Sequence, residues 1–279
     1  MNDIIKAGVI GHPIGHSKSP IIHNHWIDTY HCKGTYEAID IAPDQLKDGL
    51  NRLIDDGYAG FNVTVPHKQA VIEFCHDLDA TALAVGAVNT VVIENGRLTG
   101  MNTDVYGFIE NLRNAARNFG FSWAIERGPA VVLGTGGAAR AAVYGLLQEN
   151  VPDIILTGRT RDKALDLAKM DPSRITVVDW AERSNMLAGA NLLVNATSLG
   201  MAGNGDLDMD FSSANPDLLV HDIVYTPLYT DFLRAAREED LRILTGIGML
   251  LYQAKPAFEA WFDVIPEVTQ ILEDKVLNT

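Results

Sequence analysis

Ala130-Val131-Val132-Leu133-Gly134-Thr135-Gly136-Gly137-Ala138-Ala139-Arg140 is an apolar run, a glycine turn and the start of an alanine-rich segment. A short run with no polar alternation predicts a strand covered on both faces. The glycines let backbone N–H groups approach a pyrophosphate at the positive end of the helix that follows. The spacing GxGGxxR lacks the third glycine of the usual dinucleotide fingerprint, so the turn alone is shared with glycine-rich bends of other α/β domains. The next strand sharpens the reading. Sites for NAD usually close that strand with a carboxylate for the ribose hydroxyl, whereas here it runs into Gly158-Arg159-Thr160-Arg161. Guanidiniums make charge-assisted bidentate bonds to phosphate, so these arginines point to a ribose 2′-phosphate, and to NADP over NAD, in preference to a solvated basic loop.

The alternation extends in both directions. Residues 130–133, 154–157, 175–178, 192–195, 218–224 and 242–244 are strand candidates, mostly separated by helical patterns, which predicts a parallel sheet with helices on both faces. Upstream, 6–11, 35–41 and 60–65 read as strands and 43–56 as an amphipathic helix. Helical patterns follow at 67–76 and 80–85. Strands at 90–93 and 97–101 flank Asn95-Gly96, a strong hairpin signal. Residues 104–119 form one helical pattern, and Gly128-Pro129 ends the connection after it. From about Gly248 the chain is helical and rich in aromatics, as a segment packing back on the first half would be. The expectation is an α/β protein of two domains with a cleft between them. Residues 1–103 with 247–279 form an α/β substrate-binding domain, and 104–246 a Rossmann-like, doubly wound NADP-binding domain.

Bulk properties narrow the function. The 279 residues are 47% hydrophobic and 21% charged, as in ordinary globular proteins. A formal charge of −14 repels nucleic acid and anionic membranes, so an anionic substrate needs a local cationic pocket. Cys32 and Cys75 have no metal-ligand spacing. No basic segment followed by a long apolar run opens the chain after Met1-Asn2-Asp3, and no run of 18 apolar residues occurs. A cytoplasmic protein with small-molecule partners is expected; monomer and homodimer stay open. His12, His16, His23 and His25 lack carboxylate or cysteine partners at metal spacing and read as pocket-rim and helix residues, with no metal.

Several polar groups fall where strands of the first half end. Ser17 and Ser19 follow the first strand, and Asn62 and Thr64 share one face of the third, with Lys68 close behind. Gly86-Ala87-Val88-Asn89-Thr90 and Asn102-Thr103-Asp104 add amides and a carboxylate. Singly, Ser19 before Pro20 and Asp104 could each be a helix cap, and Lys68 a surface lysine.

Together these stretches resemble a known family. GHPIGHSKSPIIHN (11–24), GFNVTVPHK (60–68), GAVNT (86–90), GMNTDVYG (100–107), GTGGAARA (134–141) and GIGMLLYQA (246–254) are similar, in order and spacing, to the signature blocks of shikimate dehydrogenases. The resemblance spans nearly the whole chain. It implies an oxidoreductase acting on a CH–OH group, reducing 3-dehydroshikimate to shikimate with NADPH on the route to aromatic amino acids. It implies that Ser17 and Ser19 hold the substrate carboxylate, that Thr64, Asn89 and Gln253 bind ring hydroxyls, and that Tyr225 lines the same pocket. Lys68 and Asp104 match the catalytic pair, which also touches substrate. Gly134, Thr135, Gly136, Gly137 and Ala138 match the pyrophosphate loop. Gly158, Arg159, Thr160, Arg161 and Lys163 match the 2′-phosphate and adenosine segment, and Ile223 and Gly246 positions near the nicotinamide. The chain departs from the family in Gly158, often asparagine, in Thr245, commonly aspartate, and in Ser198, frequently proline.

The chemistry fits the pair. Hydride arriving at a ring carbonyl leaves an alkoxide that needs a proton donor and a positive charge, and a lysine ammonium supplies both. A quinate/shikimate dehydrogenase using NAD shares the fold and the pair, but two serines and two arginines argue against it. A non-catalytic ligand sensor need not keep both Lys68 and Asp104, and an unrelated Rossmann dehydrogenase would not carry the first-half blocks.

Overall fold

The structure, a computed structural model, describes residues 4–119 and 128–279. The opening Met1-Asn2-Asp3 and the connection that Gly128-Pro129 terminates lie outside the described residues. The chain divides into two compact units, Met1–Asp104 with Leu251–Thr279, and Val105–Leu250.

The first unit contains β1 (Ile5–Gly11), α1 (Ser19–Thr29), β2 (Gly34–Asp40), α2 (Leu46–Asp55), β3 (Tyr58–Val63), β4 (Asp77–Leu78), α3 (Ala80–Val85), β5 (Thr90–Glu94) and β6 (Arg97–Met101). They form a mixed sheet in the order β2-β1-β3-β5-β6-β4. β1 pairs in parallel with β2 and β3, and β5 runs antiparallel to β3 and β6. The hairpin turn has Asn95 at φ +52° and Gly96 at φ +76°, the left-handed pair that a two-residue turn requires. Leu46, Leu50 and Leu53 make the apolar stripe of α2 and are buried with Ile10, Phe61, Val63 and Val91. An aromatic group of Trp26, Tyr36, Phe258 and Trp261 packs around His23.

α4 (Asp104–Phe119) precedes the second sheet. That sheet is built from β7 (Ala130–Leu133), α5 (Gly137–Gln148), β8 (Ile154–Thr157), α6 (Arg161–Ala168), β9 (Ile175–Val177), β10 (Leu192–Asn195), β11 (Leu219–Asp222), α7 (Asp231–Glu238) and β12 (Arg242–Leu244). All its strands are parallel, in the order β12-β11-β10-β7-β8-β9. Read from β9, this is the doubly wound Rossmann order, and it reverses between β7 and β10. Alternate residues feed two cores. Ala130, Val132, Leu192 and Val194 pack with Ala139, Val143 and Leu146 of α5, and Val131, Leu133 and Leu193 with Phe232 and Leu233 of α7. Each fully buried aliphatic side chain contributes about 1.5–3 kcal/mol, which is why these strands read as unbroken apolar runs. α8 (Ile247–Phe262) and α9 (Gln270–Leu277) complete the chain.

Several elements differ from the sequence expectation. The third strand is Tyr58–Val63 rather than 60–65, because the His67 N–H turns back to the Thr64 carbonyl. Residues 67–76 make turns and a 3₁₀ segment, Ala70–Phe74, instead of an α-helix, and 43–56 is a 3₁₀ turn, Pro43–Gln45, leading into α2. The expected strand 218–224 shortens to Leu219–Asp222, since the Val224 N–H bonds the Asp222 side chain and leaves the ladder. No helix separates β10 from β11; Leu207, Met209 and Phe211 of the loop cover the sheet there.

Candidate active site

In the first unit, the turn after β3 sets Lys68. The buried His67 ring donates from Nε2 to the Ile41 carbonyl at 2.7 Å, and the Lys68 carbonyl accepts from the Val88 N–H at 2.8 Å. Lys68 Nζ lies 2.6 Å from Asp104 Oδ2. The lysine side chain is 28% exposed and the aspartate 10%, so the ammonium is partly screened and still open to solvent or a ligand.

Asp104 is the first residue of α4, and its N–H donates to Asn102 Oδ1 at 3.1 Å. It therefore does not act as the helix cap its position allowed. Its other oxygen accepts from Asn89 Nδ2 at 2.8 Å. Asn89 also donates to Thr103 Oγ1 at 3.0 Å and Gln253 Oε1 at 3.3 Å, and its Oδ1 accepts from the Thr103 N–H at 2.7 Å. One hydrogen-bonded cluster thus joins Lys68, Asp104, Asn89 and Gln253. Its buried members Asn89 and Asp104 both have directed partners, as a buried network requires.

Ser17 and Ser19 stand at the start of α1. Ser19 is buried at N1, the N-cap residue is Lys18 without a side-chain cap, and the Ser17 Oγ accepts from the Ser19 N–H at 3.3 Å. Ser19 thus does not cap the helix through its side chain. Burial raises the Tyr36 phenol well above its ordinary range, against the pull of the Ser19 hydroxyl. Tyr36 donates to Asn62 Oδ1 at 2.6 Å, and Asn62 donates to the Asn89 carbonyl at 3.2 Å. Tyr36 is in this way linked to the cluster. Thr64 is half-buried, its methyl packed where a side chain on Gly11 would stand. Asn62 and Thr103 lay within the quoted motifs without a role of their own; Tyr36, in no motif, offered no signal.

The histidines take separate parts. His12 Nδ1 meets Asp40 Oδ1 at 2.6 Å, a carboxylate 28 residues away in the sequence. His23 is stacked on Tyr36 with ring centroids 4.1 Å apart, and burial lowers it to about 3, leaving it neutral. Among the described residues no group of three or more His, Cys, Asp or Glu could hold a metal.

In the second unit, Gly134 has φ +117° and its N–H donates to the Thr157 carbonyl at 2.8 Å. A Cβ there would stand 2.7 Å from the Ala196 carbonyl oxygen, whereas one at Gly136 or Gly137 meets nothing within 4 Å. The turn is closed on its sheet side and open at the start of α5, an opening that suits a diphosphate on helix N–H groups. Thr135 and Ala138 flank it. A Cβ at Gly158 would come 2.8 Å from Thr135 Cγ2, so the glycine found where asparagine is frequent makes room for this threonine. Arg159, Thr160, Arg161 and Lys163 are exposed beyond β8. Arg161 is ion-paired with Asp179, while Arg159 and Lys163 enter no ion pair among the described residues. Ile223 and Gly246 meet closely, since a Cβ on Gly246 would lie 2.2 Å from the Ile223 carbonyl oxygen. Tyr225 is half-buried, and burial pushes its phenol up.

Asp222, wholly buried at the end of β11, entered no motif reading. Burial pushes it up to about 6, against the pull of three donors, Thr230, Val224 and Asn195. Unfolded, it titrates near 3.8. The folded chain therefore holds the proton more tightly, and this contribution to stability is present at low pH and lost as pH rises through that window. Asp222→Asn has no proton to lose. It is expected to gain on the wild type by about 2 kcal/mol between about pH 4 and pH 7, read from urea unfolding of both proteins; a difference that does not change with pH refutes this.

Comparison with known proteins gives two family matches, the shikimate dehydrogenase substrate binding domain at residues 9–91 and shikimate/quinate 5-dehydrogenase at 114–203. A shikimate dehydrogenase (NADP(+)) of Paramagnetospirillum magneticum is 46% identical over 98% of both chains. The structure of Thermus thermophilus shikimate 5-dehydrogenase in complex with NADP(H) and shikimate superposes with a TM-score of 0.86 at 32% identity, covering 99% of each chain. Quinate dehydrogenase of Corynebacterium glutamicum in complex with NAD gives 0.90 at 30% identity over 100% of each.

Proposed function

Because the chain belongs to the shikimate dehydrogenase family, we propose that it is an NADP-dependent oxidoreductase interconverting 3-dehydroshikimate and shikimate. The observation that carries this reading is the Lys68–Asp104 pair at 2.6 Å, framed by Asn89 and Gln253.

Residues 1–103 with 247–279 serve substrate binding and 104–246 cofactor binding. Lys68 gives its proton to the ring oxygen that becomes the hydroxyl and takes it back in the reverse direction. Asp104 holds the ammonium in place and balances its charge. Asn89, Thr64 and Gln253 orient ring hydroxyls, Ser17 and Ser19 receive the carboxylate, and Tyr225 is a further substrate contact. The open turn at Gly134, Thr135, Gly136, Gly137 and Ala138 fits a diphosphate, and Gly158, Arg159, Thr160, Arg161 and Lys163 fit a phosphorylated adenosine ribose. Ile223 and Gly246 serve as contacts for the nicotinamide. Bound NADP supplies or accepts the hydride. The same reading puts the enzyme in the cytoplasm, which suits free Cys32 and Cys75. No described helix is long and apolar enough to cross a membrane.

Steady-state rates with shikimate and quinate, each with NADP and NAD, test the proposal. The highest kcat/KM is expected for shikimate with NADP. Quinate with NAD as the best combination would move the chain to the quinate branch, and ligand binding without turnover would make it a sensor. The arginines give a second test. Replacing both Arg159 and Arg161 by Ala removes charged hydrogen bonds of about 1.5 kcal/mol each, so the Kd for NADP should rise roughly 100-fold with that for NAD nearly constant. Equal weakening of both cofactors would deny these residues the 2′-phosphate.

A further inference from the structure

Asp222 is fully buried, pairs with no cation among the described residues, and joins three stretches of the second unit. Its Oδ1 accepts from Asn195 Nδ2 at 2.9 Å and from the Val224 N–H at 3.0 Å, and its Oδ2 accepts from Thr230 Oγ1 at 2.6 Å. Asn195 ends β10, Val224 follows β11, and Thr230 caps α7, its Oγ1 accepting from the Leu233 N–H at 3.3 Å. A buried carboxylate without a countercharge is unfavourable, and burial has already raised this one. An apolar side chain of the same volume would leave all three donors without their acceptor. A carboxylate supplies directed acceptors toward three donors at once.

The stretch it holds is the one that bears Ile223 and Tyr225. Asn195 is independently anchored, since its Oδ1 accepts from the Thr197 N–H at 3.0 Å and hydroxyl at 2.7 Å, and its Nδ2 donates to the Leu199 carbonyl at 3.1 Å. Thr230 is likewise fixed by its helix. Residues 223–229 contain no regular element. Their near end is fastened by the Val224–Asp222 bond and their far end by Thr230 on the same carboxylate. We infer that Asp222 is a positioning residue for the reaction, clamping segment 223–230 to the ends of β10 and α7 so that Ile223 and Tyr225 are held in place. The inference rests on the functional reading above. It leaves the glycine turn and the arginines after β8 untouched, because none of them bonds to Asp222 and the turn after β10 keeps its own hydrogen bonds.

The test compares wild type, Asp222→Ala and Asp222→Asn in three measurements: kcat for shikimate oxidation with NADP, the Kd of 2′,5′-ADP, and amide hydrogen exchange across 223–230. Asp222→Ala is expected to lose at least tenfold in kcat and to exchange at least tenfold faster in that segment, with 2′,5′-ADP affinity within twofold of wild type. Asp222→Asn, which keeps an acceptor for Val224 but turns an amide towards Thr230, should fall between, and it carries the test if the alanine variant does not fold. Wild-type exchange in both variants overturns the inference. So does a loss of 2′,5′-ADP affinity as large as the loss of kcat, which would mark general loosening of the unit. A wild-type chain that does not oxidise shikimate would sink the functional reading instead, and exchange with 2′,5′-ADP binding would still decide whether Asp222 clamps the segment.

Discussion

Lys68→Ala is expected to lower kcat for shikimate oxidation by about 10²- to 10⁴-fold while leaving the Kd for NADP within about twofold. The expectation comes from what the side chain alone does. The Lys68 backbone is held through its carbonyl by the Val88 N–H, and alanine keeps that bond. Asp104 keeps Asn89 Nδ2 at 2.8 Å and its own N–H on Asn102, so the frame survives. What disappears is the one ammonium paired with that carboxylate among the described residues and, with it, the proton donor for the ring oxygen. The residues proposed for NADP, from Gly134 to Lys163, lie in the other compact unit and should bind as before. Kinetics with titration calorimetry separates the two effects. Turnover close to wild type would remove Lys68 from the chemistry, and a parallel collapse of NADP binding would mean the variant had lost more than a proton donor.

Gly246→Ala should be the most disruptive single methyl addition near the proposed cofactor contacts. The new carbon would stand 2.2 Å from the Ile223 carbonyl oxygen, 2.5 Å from its carbon and 2.8 Å from the Val224 carbonyl oxygen. All three are backbone atoms, so no rotamer change relieves the contact, and the ends of β11 and β12 must part. Overpacking of this kind costs about 1–3 kcal/mol when side chains can yield; with backbone on the other side, the upper end is expected. That corresponds to a fall in Tm of roughly 6–10 °C, together with reduced kcat because Ile223 moves. A melting curve within about one degree of wild type would show that the close approach is slack.

The second unit was the more legible in sequence. Its strands are buried on both faces, so composition alone marks them, and the glycine turn fixes where the first ends. The hairpin at Asn95-Gly96 was equally plain, because its turn residues encode the backbone angles. The 3₁₀ segment at Ala70–Phe74 was not, since its apolar residues satisfy a helical pattern without the i to i+4 bonds. The loop between β10 and β11 covers the sheet with Leu207, Met209 and Phe211, and no periodicity announces a covering loop. Lys68 and Asp104 are 36 residues apart; neither spacing nor propensity brings such residues together, and only the family resemblance pointed to the pair. Asp222 escaped for a related reason. Its partners Asn195 and Thr230 become neighbours only once β10 and β11 lie side by side, and a lone aspartate at the end of an apolar run carries no hint of that.

The chain order of the two units bears on how the protein is made. Residues 105–250 form one uninterrupted piece, whereas the first unit needs 251–279 as well. Its aromatic core closes only when Trp261 donates to the Val91 carbonyl at 3.1 Å and Trp26 to that of Glu267 at 3.0 Å. On the ribosome, where domains form as units while the chain emerges, the nucleotide-binding piece can finish while the N-terminal sheet still lacks its last helices. The half translated first is thus the half completed last, and its unfinished apolar face is the surface that chaperones would meet during synthesis.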